Sequence, residues 1–177
     1  FSMTKNEVYK LLDEKQQLFF DTADKIWGDP ELSLSEHNAA KLYEELLSEL
    51  GFEVEHAVAG IETAFAGKFG SGKPVIGILG EYDALAGLSQ KAGALEPCEE
   101  VEGGYGHGCG HHMLGAGSLA AAWAVKEYLA ATGESGTVIY YGCPGEEGGA
   151  GKAFMAREGL FYGLDAGLTW HPGAANE

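Results

Sequence analysis

Apolar residues Val8, Leu11, Leu12, Leu18, Phe19, Ala23 and Ile26 recur at helical spacing, so residues 4–27 are predicted to form an amphipathic helix. The pattern stops at Gly28-Asp29-Pro30, a strong breaker. A second helix is expected to start within "SLSE", where Ser33 and Glu36 have capping-box spacing. Its apolar face is Ala39, Leu42, Tyr43, Leu46, Leu47 and Leu50, and Gly51 suits the residue just past its end. The period then changes. "FEVEHAV" (52–58) and "ETAFAGKF" (62–69) alternate as half-buried strands do, whereas "PVIGILG" (74–80) is continuously apolar, as a fully buried strand is. Residues 85–104 show no regular pattern. From His112 or Met113 to about Ala131 the pattern is helical, and small residues Gly115, Ala116, Gly117 and Ser118 imply close packing on a sheet. "TVIYYG" (137–142) reads as a buried strand, "GKAFMAREG" (151–159) as a short helix and "DAGLTW" (165–170) as another strand. Strands alternating with helices predict a layered α/β fold with much parallel pairing. No internal repeat or interdomain linker interrupts it.

Length adds a bound: 177 residues suffice for one domain with a real core, or for part of a larger one. The chain is 45% hydrophobic and 21% charged, which is globular composition. Its 27 acidic and 11 basic residues give a formal charge of −16, which argues against nucleic acid or an anionic membrane as partner. No apolar run approaches the ~20 residues of a membrane span. No secretory signal opens the sequence, and Phe1 and Ser2 read as a remnant ahead of Met3. Cys98, Cys109 and Cys143 show no disulfide framework, so a reducing, cytoplasmic setting is expected.

The polar residues sharpen this picture. In open α/β sheets, ligands gather at the carboxyl ends of strands. Here "PVIGILG" runs into Glu81, Tyr82 and Asp83, "TVIYYG" into "CPGEEGG", and "AGLTW" into His171. The loop "GYGHGCGHHMLGAG" (104–117) delivers Cys109 and His111 to a helix start at the same edge. Each piece alone has an ordinary explanation: an incidental Cys-Gly-His triplet, a solvated glutamate pair, a loop histidine, a capping aspartate. Together they assemble thiolate, imidazole and carboxylate donors suited to Zn²⁺ or Mn²⁺. Adjacent carboxylates after a buried strand repel unless a cation is near. Glu146 and Glu147 are not expected both to reach one ion, so one is free to act as general base on a metal-bound water.

Other motifs fail. A phosphate loop is contradicted by Glu146 in place of its first glycine and Ala153 in place of its Ser or Thr, and "GYGHGCG" does not fit a dinucleotide fingerprint. A thiol hydrolase using Cys109 and His111 ranks second, because it leaves Glu146, Glu147 and His171 without a role. Cys143 is expected to be buried and inert; Cys98 lies in an acidic loop with no assigned role.

In order and spacing, "ILGEYDALAGL", "GYGHGCGHHMLGAG", "YYGCPGEEGGAG" and "LTWHPG" resemble the aminoacylase/carboxypeptidase-type co-catalytic metallopeptidases, and within them an amidohydrolase branch. The resemblance covers nearly all of the chain. It implies a three-layer fold with a mixed, largely parallel sheet and helices on both faces, incomplete at its C-terminal end. It also implies two divalent ions, Zn²⁺ or Mn²⁺, with Cys109, His111, Glu147 and His171 as ligands. Glu146 then matches the general base, and Asp83 an acidic residue orienting the site. Glu81 stands where other branches place a histidine ligand, and His112 replaces an aspartate common in this branch; His107 and His112 stay unassigned. The implied activity is hydrolysis of an amide in an N-acyl or N-aroyl amino acid or a dipeptide. Relatives of this kind insert a lid domain that dimerises and add a fifth ligand. Residues 1–177 are accordingly expected to be the N-terminal part of a catalytic domain, with four of five ligands and little activity alone. A non-catalytic metal-binding domain is the alternative.

Overall fold

The computed structural model describes residues 2–175; Phe1, half of the expected remnant, lies outside them. The first helix, α1, spans Lys5–Gly28 and opens on a capping box, in which Thr4 accepts from the Glu7 amide and Glu7 accepts from the Thr4 amide. The second, α2, covers His37–Glu49. It ends as expected: Gly51 adopts φ +93, and the Gly51 and Phe52 amides donate to Ser48 and Leu47.

The expected cap at the start of α2 does not form. Ser33 instead donates to Asp83 at 2.8 Å, while Glu36 is wholly buried and accepts from the Gly145 amide at 2.7 Å. Glu31 takes over, accepting from the first free amides at Asn38 and Ala39. The local signature is outbid by partners far along the chain.

Five strands follow: β1 (Glu53–His56), β2 (Phe65–Ser71), β3 (Val75–Gly80), β4 (Gly136–Gly142) and β5 (Ala166–Leu168). The first is shorter than its alternation suggests because Ala57 turns left-handed (φ +53) and leads into a 3₁₀ turn at Val58–Gly60. The sheet order is β1-β2-β4-β3-β5. β2 is antiparallel to both its neighbours, whereas β3 is parallel to β4 and β5, so only β2 runs against the common direction. The sheet is therefore mixed and largely parallel, as expected.

Helix α3 (His111–Thr132) connects the loop to β4, and α4 (Gly151–Arg157) follows β4. The larger core joins α1, α2 and α3 to one sheet face through Phe19, Tyr43, Leu47, Leu119 and Trp123 against Phe65, Val138 and Tyr140. The opposite face carries Tyr141 and Cys143 against Met155 of α4, with Leu160 and Phe161 packed alongside. This gives three layers. Truncating a fully buried residue such as Leu47 to Ala costs about 2–5 kcal/mol.

The small residues of α3 set where the site lies. A Cβ at Gly115 would stand 2.5 Å from Tyr43 Oη and 2.7 Å from the Glu81 carbonyl, so only glycine lets α3 start against the exit of β3. α3 begins at His111, one residue before the earliest start expected, after Gly110 at φ +76. His111 is thereby a helical, fully buried residue at the sheet's carboxyl edge.

Candidate metal centre

Four segments meet at that edge. Glu81 and Asp83 leave β3, Glu146 and Glu147 leave β4, His171 follows β5, and Cys109 and His111 flank the start of α3. His111 is the shared member of two donor groups, Cys109–His111–His171 and Glu81–His111–Glu146; within each group the ligating atoms lie within 4.8 Å of one another.

The imidazoles are oriented by their second nitrogens. His111 Nδ1 lies 2.8 Å from Asp83 Oδ1 and 3.0 Å from the Asp83 carbonyl, so it carries the proton and leaves Nε2 with a free lone pair. His171 Nδ1 is 2.8 Å from the Pro172 carbonyl, and its Nε2 stands 3.2 Å from Cys109 Sγ. Both rings thus direct Nε2 toward the cluster. His111 Nε2 is 3.0 Å from Glu81 Oε2, yet neither atom, both buried, makes a hydrogen bond. Buried polar atoms normally find partners, and a divalent cation between these donors would supply one. The residues fit a metal.

Asp83 is almost wholly buried and spends both oxygens. One takes His111, the other accepts from Ser33 Oγ and from the Glu147 amide at 2.9 Å. Burial pushes its carboxyl up, but hydrogen bonds from His111, Glu147 and Ser33 outweigh that and hold it below the usual carboxylate range. For His111, burial opposes charge, yet Asp83, Glu81 and Glu147 win and raise its pKa.

The glutamate pair departs from expectation. Residues 146–149 form a tight turn, and both Glu146 and Glu147 come to 3.8 Å from His111 Nε2. Their other partners differ. Glu147 is tied to Asp83 through its amide and has a side chain 23% exposed, whereas that of Glu146 is 42% exposed to solvent. Burial and the neighbouring carboxylates push the Cys109 thiol up to about 12.

Three features take on places that the sequence reading did not give them. Glu81 stands inside a donor group and is paired with Lys152, which reaches back from α4. Glu36 holds the Gly145 amide, and thereby the backbone that presents the glutamate pair. His107 and His112 stand behind the cluster with ring centroids 5.4 Å apart, and Trp27 packs on His112 at 4.8 Å. The lysine's spacing carried no signal; the buried Glu36 was masked by its resemblance to a cap. Cys143 is buried as expected, and its thiol is also pushed up to about 12 by burial. Cys98 is partly shielded.

The sequence profile of peptidase family M20/M25/M40 matches residues 77–176, the stretch that carries every residue of the cluster. The chain belongs to this family. Among M20-type relatives, it is 51% identical over 172 residues to one of the subunits of the p-aminobenzoyl-glutamate hydrolase of Escherichia coli K12, covering 95% of this chain and 36% of that protein. It is 30% identical over 168 residues to the hippurate hydrolase of Campylobacter jejuni, covering 94% of this chain and 42% of the relative. The fold also matches the crystal structure of the Bacillus subtilis YXEP protein, a dinuclear metal-binding M20 peptidase. That match has a TM-score of 0.75 at 23% identity, over 91% of this chain and 44% of the other. The chain thus spans well under half of each of these proteins. Among the described residues no helix is long and apolar enough to cross a membrane.

Proposed function

We propose that this chain forms the metal-binding part of a two-metal amidohydrolase that cleaves an N-acyl or N-aroyl amino acid, such as a p-aminobenzoyl-glutamate-like compound, or a dipeptide. The observation that carries the reading is the donor group Cys109–His111–His171, with buried Glu81 Oε2 and His111 Nε2 lacking partners beside it. Cys109, His111, Glu147 and His171 would hold two divalent ions, Zn²⁺ or Mn²⁺. Bound there, the ions would polarise the scissile carbonyl and acidify a water molecule. Asp83 fixes the tautomer and orientation of His111, and the Pro172 carbonyl does the same for His171. Glu146, on the solvent side of the pair, takes a proton from the attacking water and returns it to the leaving amine. The full-length protein is proposed to dimerise through a lid domain and to work in the cytoplasm.

The 3.2 Å approach of Cys109 to His171 also suits a thiol nucleophile activated by a base. Its surroundings oppose that role, because nucleophilic cysteines sit in electropositive sites that lower their pKa, whereas the carboxylates here raise it. A cation reverses that balance, and a thiolate ligand is the better assignment.

Paired substitutions in the full-length enzyme test the division of roles. Glu146→Gln should retain bound metal while turnover falls about 10²-fold or more. Glu147→Gln should release metal. Equal metal loss in both variants would refute the assignment, and activity that survives exhaustive chelation but not thiol alkylation would favour the cysteine mechanism.

A further inference from the structure

Residues 31–36, between α1 and α2, form a strap across two of the strand exits that bring carboxylates to the cluster. At the exit of β3, Leu32 bridges Ala84, the Ala84 amide donates to the Glu31 carbonyl at 2.8 Å, and Ser33 Oγ donates to Asp83 Oδ2. At the exit of β4, buried Glu36 accepts from the Gly145 amide with one oxygen and from Thr63 Oγ, 3.1 Å away, with the other. Between these anchors Leu34 stands at φ +65, in the left-handed region that residues other than glycine avoid. Its side chain lies over the glutamate turn: a Cβ built on Gly145 would meet it at 2.8 Å, and one on Gly149 at 2.7 Å. Ser33 covers the glycine between, since a Cβ on Gly148 would stand 3.3 Å from Ser33 Oγ. The glycines around Glu146 and Glu147 are thus the room that the strap occupies.

Strained backbone persists where its surroundings over-determine it, and such places cluster at functional sites. Here the surroundings are the turn itself. Glu147 has its own anchor, because its amide donates to Asp83. Glu146 has none of this kind: its backbone is held through the neighbouring Gly145, and Gly145 is held by Glu36 and Leu34. We propose that the strap is the positioning element for Glu146, in which Glu36, by its hydrogen bond to Gly145, and Leu34, by its packing on Gly145 and Gly149, fix the direction from which that carboxylate faces the reaction. The proposal rests on the amidohydrolase reading above. Both residues act through the turn and not on the substrate. Reaction rates are steep in such geometry, since a misplacement of about 1 Å costs about 10²-fold. Ser33 has a lesser part, because Asp83 keeps His111 and the Glu147 amide without it.

Steady-state hydrolysis of p-aminobenzoyl-glutamate by the full-length, metal-loaded enzyme, paired with amide hydrogen exchange of its metal-free form, tests this. Glu36→Ala should lower kcat about 10²-fold, with KM within about twofold and bound metal retained. It should also speed exchange in residues 143–149 by about tenfold or more while the β4 amides stay protected. Glu36→Gln keeps an acceptor for the Gly145 amide and should hold kcat within about threefold of wild type. Leu34→Gly removes the packing at a φ that glycine adopts freely. Its kcat should therefore fall about tenfold with the melting temperature within about 4 °C of wild type. That variant decides the matter if Glu36→Ala does not fold. Wild-type kcat and exchange in Leu34→Gly, or a loss in Glu36→Gln as deep as in Glu36→Ala, would overturn the proposal. If the wild type itself shows no metal-dependent turnover, the amidohydrolase reading fails, and exchange across residues 143–149 still reads the strap.

Discussion

His107 and His111 lie four residues apart on one glycine-rich loop, both buried, and their surroundings drive them in opposite directions. At His111, Asp83 takes the Nδ1 proton, and Glu81, Glu146 and Glu147 all stand within 3.8 Å of Nε2. At His107 the neighbouring His112 and His111 add to the effect of burial, and the opposing influence of the Ile26 backbone and Asp83 is smaller. Burial disfavours the charged form in both rings. At His111 the carboxylates overcome it and raise the pKa; at His107 the opposing groups are outweighed, and the pKa falls to about 4. Residue type and burial are therefore poor guides to a histidine's chemistry. The charge of what surrounds it decides which protonation form is favoured.

Removing the carboxylate that makes the difference should have the largest effect. Asp83→Ala deprives His111, Ser33 and the Glu147 amide of their common acceptor. Metal affinity, measured by competition with a chelator, should fall about 10–100-fold, the usual cost of losing a group that orients a ligating histidine. Unchanged affinity would mean that His111 is positioned without it.

A smaller effect, in the metal-free chain, separates the two rings by pH. His111 has a raised pKa, so its contribution to stability is complete below the unfolded value of about 6.5 and is lost as pH rises through its folded value. His107 has a depressed pKa. Its unfolded form takes up a proton first, so stability declines as pH falls from about 6.5 toward 4. Denaturant midpoints across pH 4–9 should therefore show His107→Phe flattening the acid limb and His111→Gln the alkaline limb. Matching changes in the two variants would erase the contrast between them.

Much of this arrangement was legible because its signals are local. The helically spaced apolar stripe of α1, Gly51 at the end of α2 and the uniformly apolar β4 follow from propensity and turn chemistry alone. So does the convergence on one edge, since parallel strands bring their carboxyl ends together. What was illegible depends on distant partners. Ser33 and Glu36 have the spacing of a helix cap, but Asp83 and Gly145 claim them from 50 and 109 residues away. Both glutamates reach His111 because the turn after Gly145 bends more tightly than a strand end does.

Everything proposed for the site depends on Cys109 and its neighbours binding metal. Cobalt substitution tests this most directly, because a thiolate bound to Co²⁺ gives an intense near-ultraviolet charge-transfer absorption and soft sulfur is a ligand only when it meets the ion. Titrating the chain with Co²⁺ should produce that band with release of protons. Cys109→Ser should abolish it, while Cys98→Ser and Cys143→Ser leave it intact. A band that persists in Cys109→Ser, or no band under conditions where the ion binds, would contradict the metal centre described here.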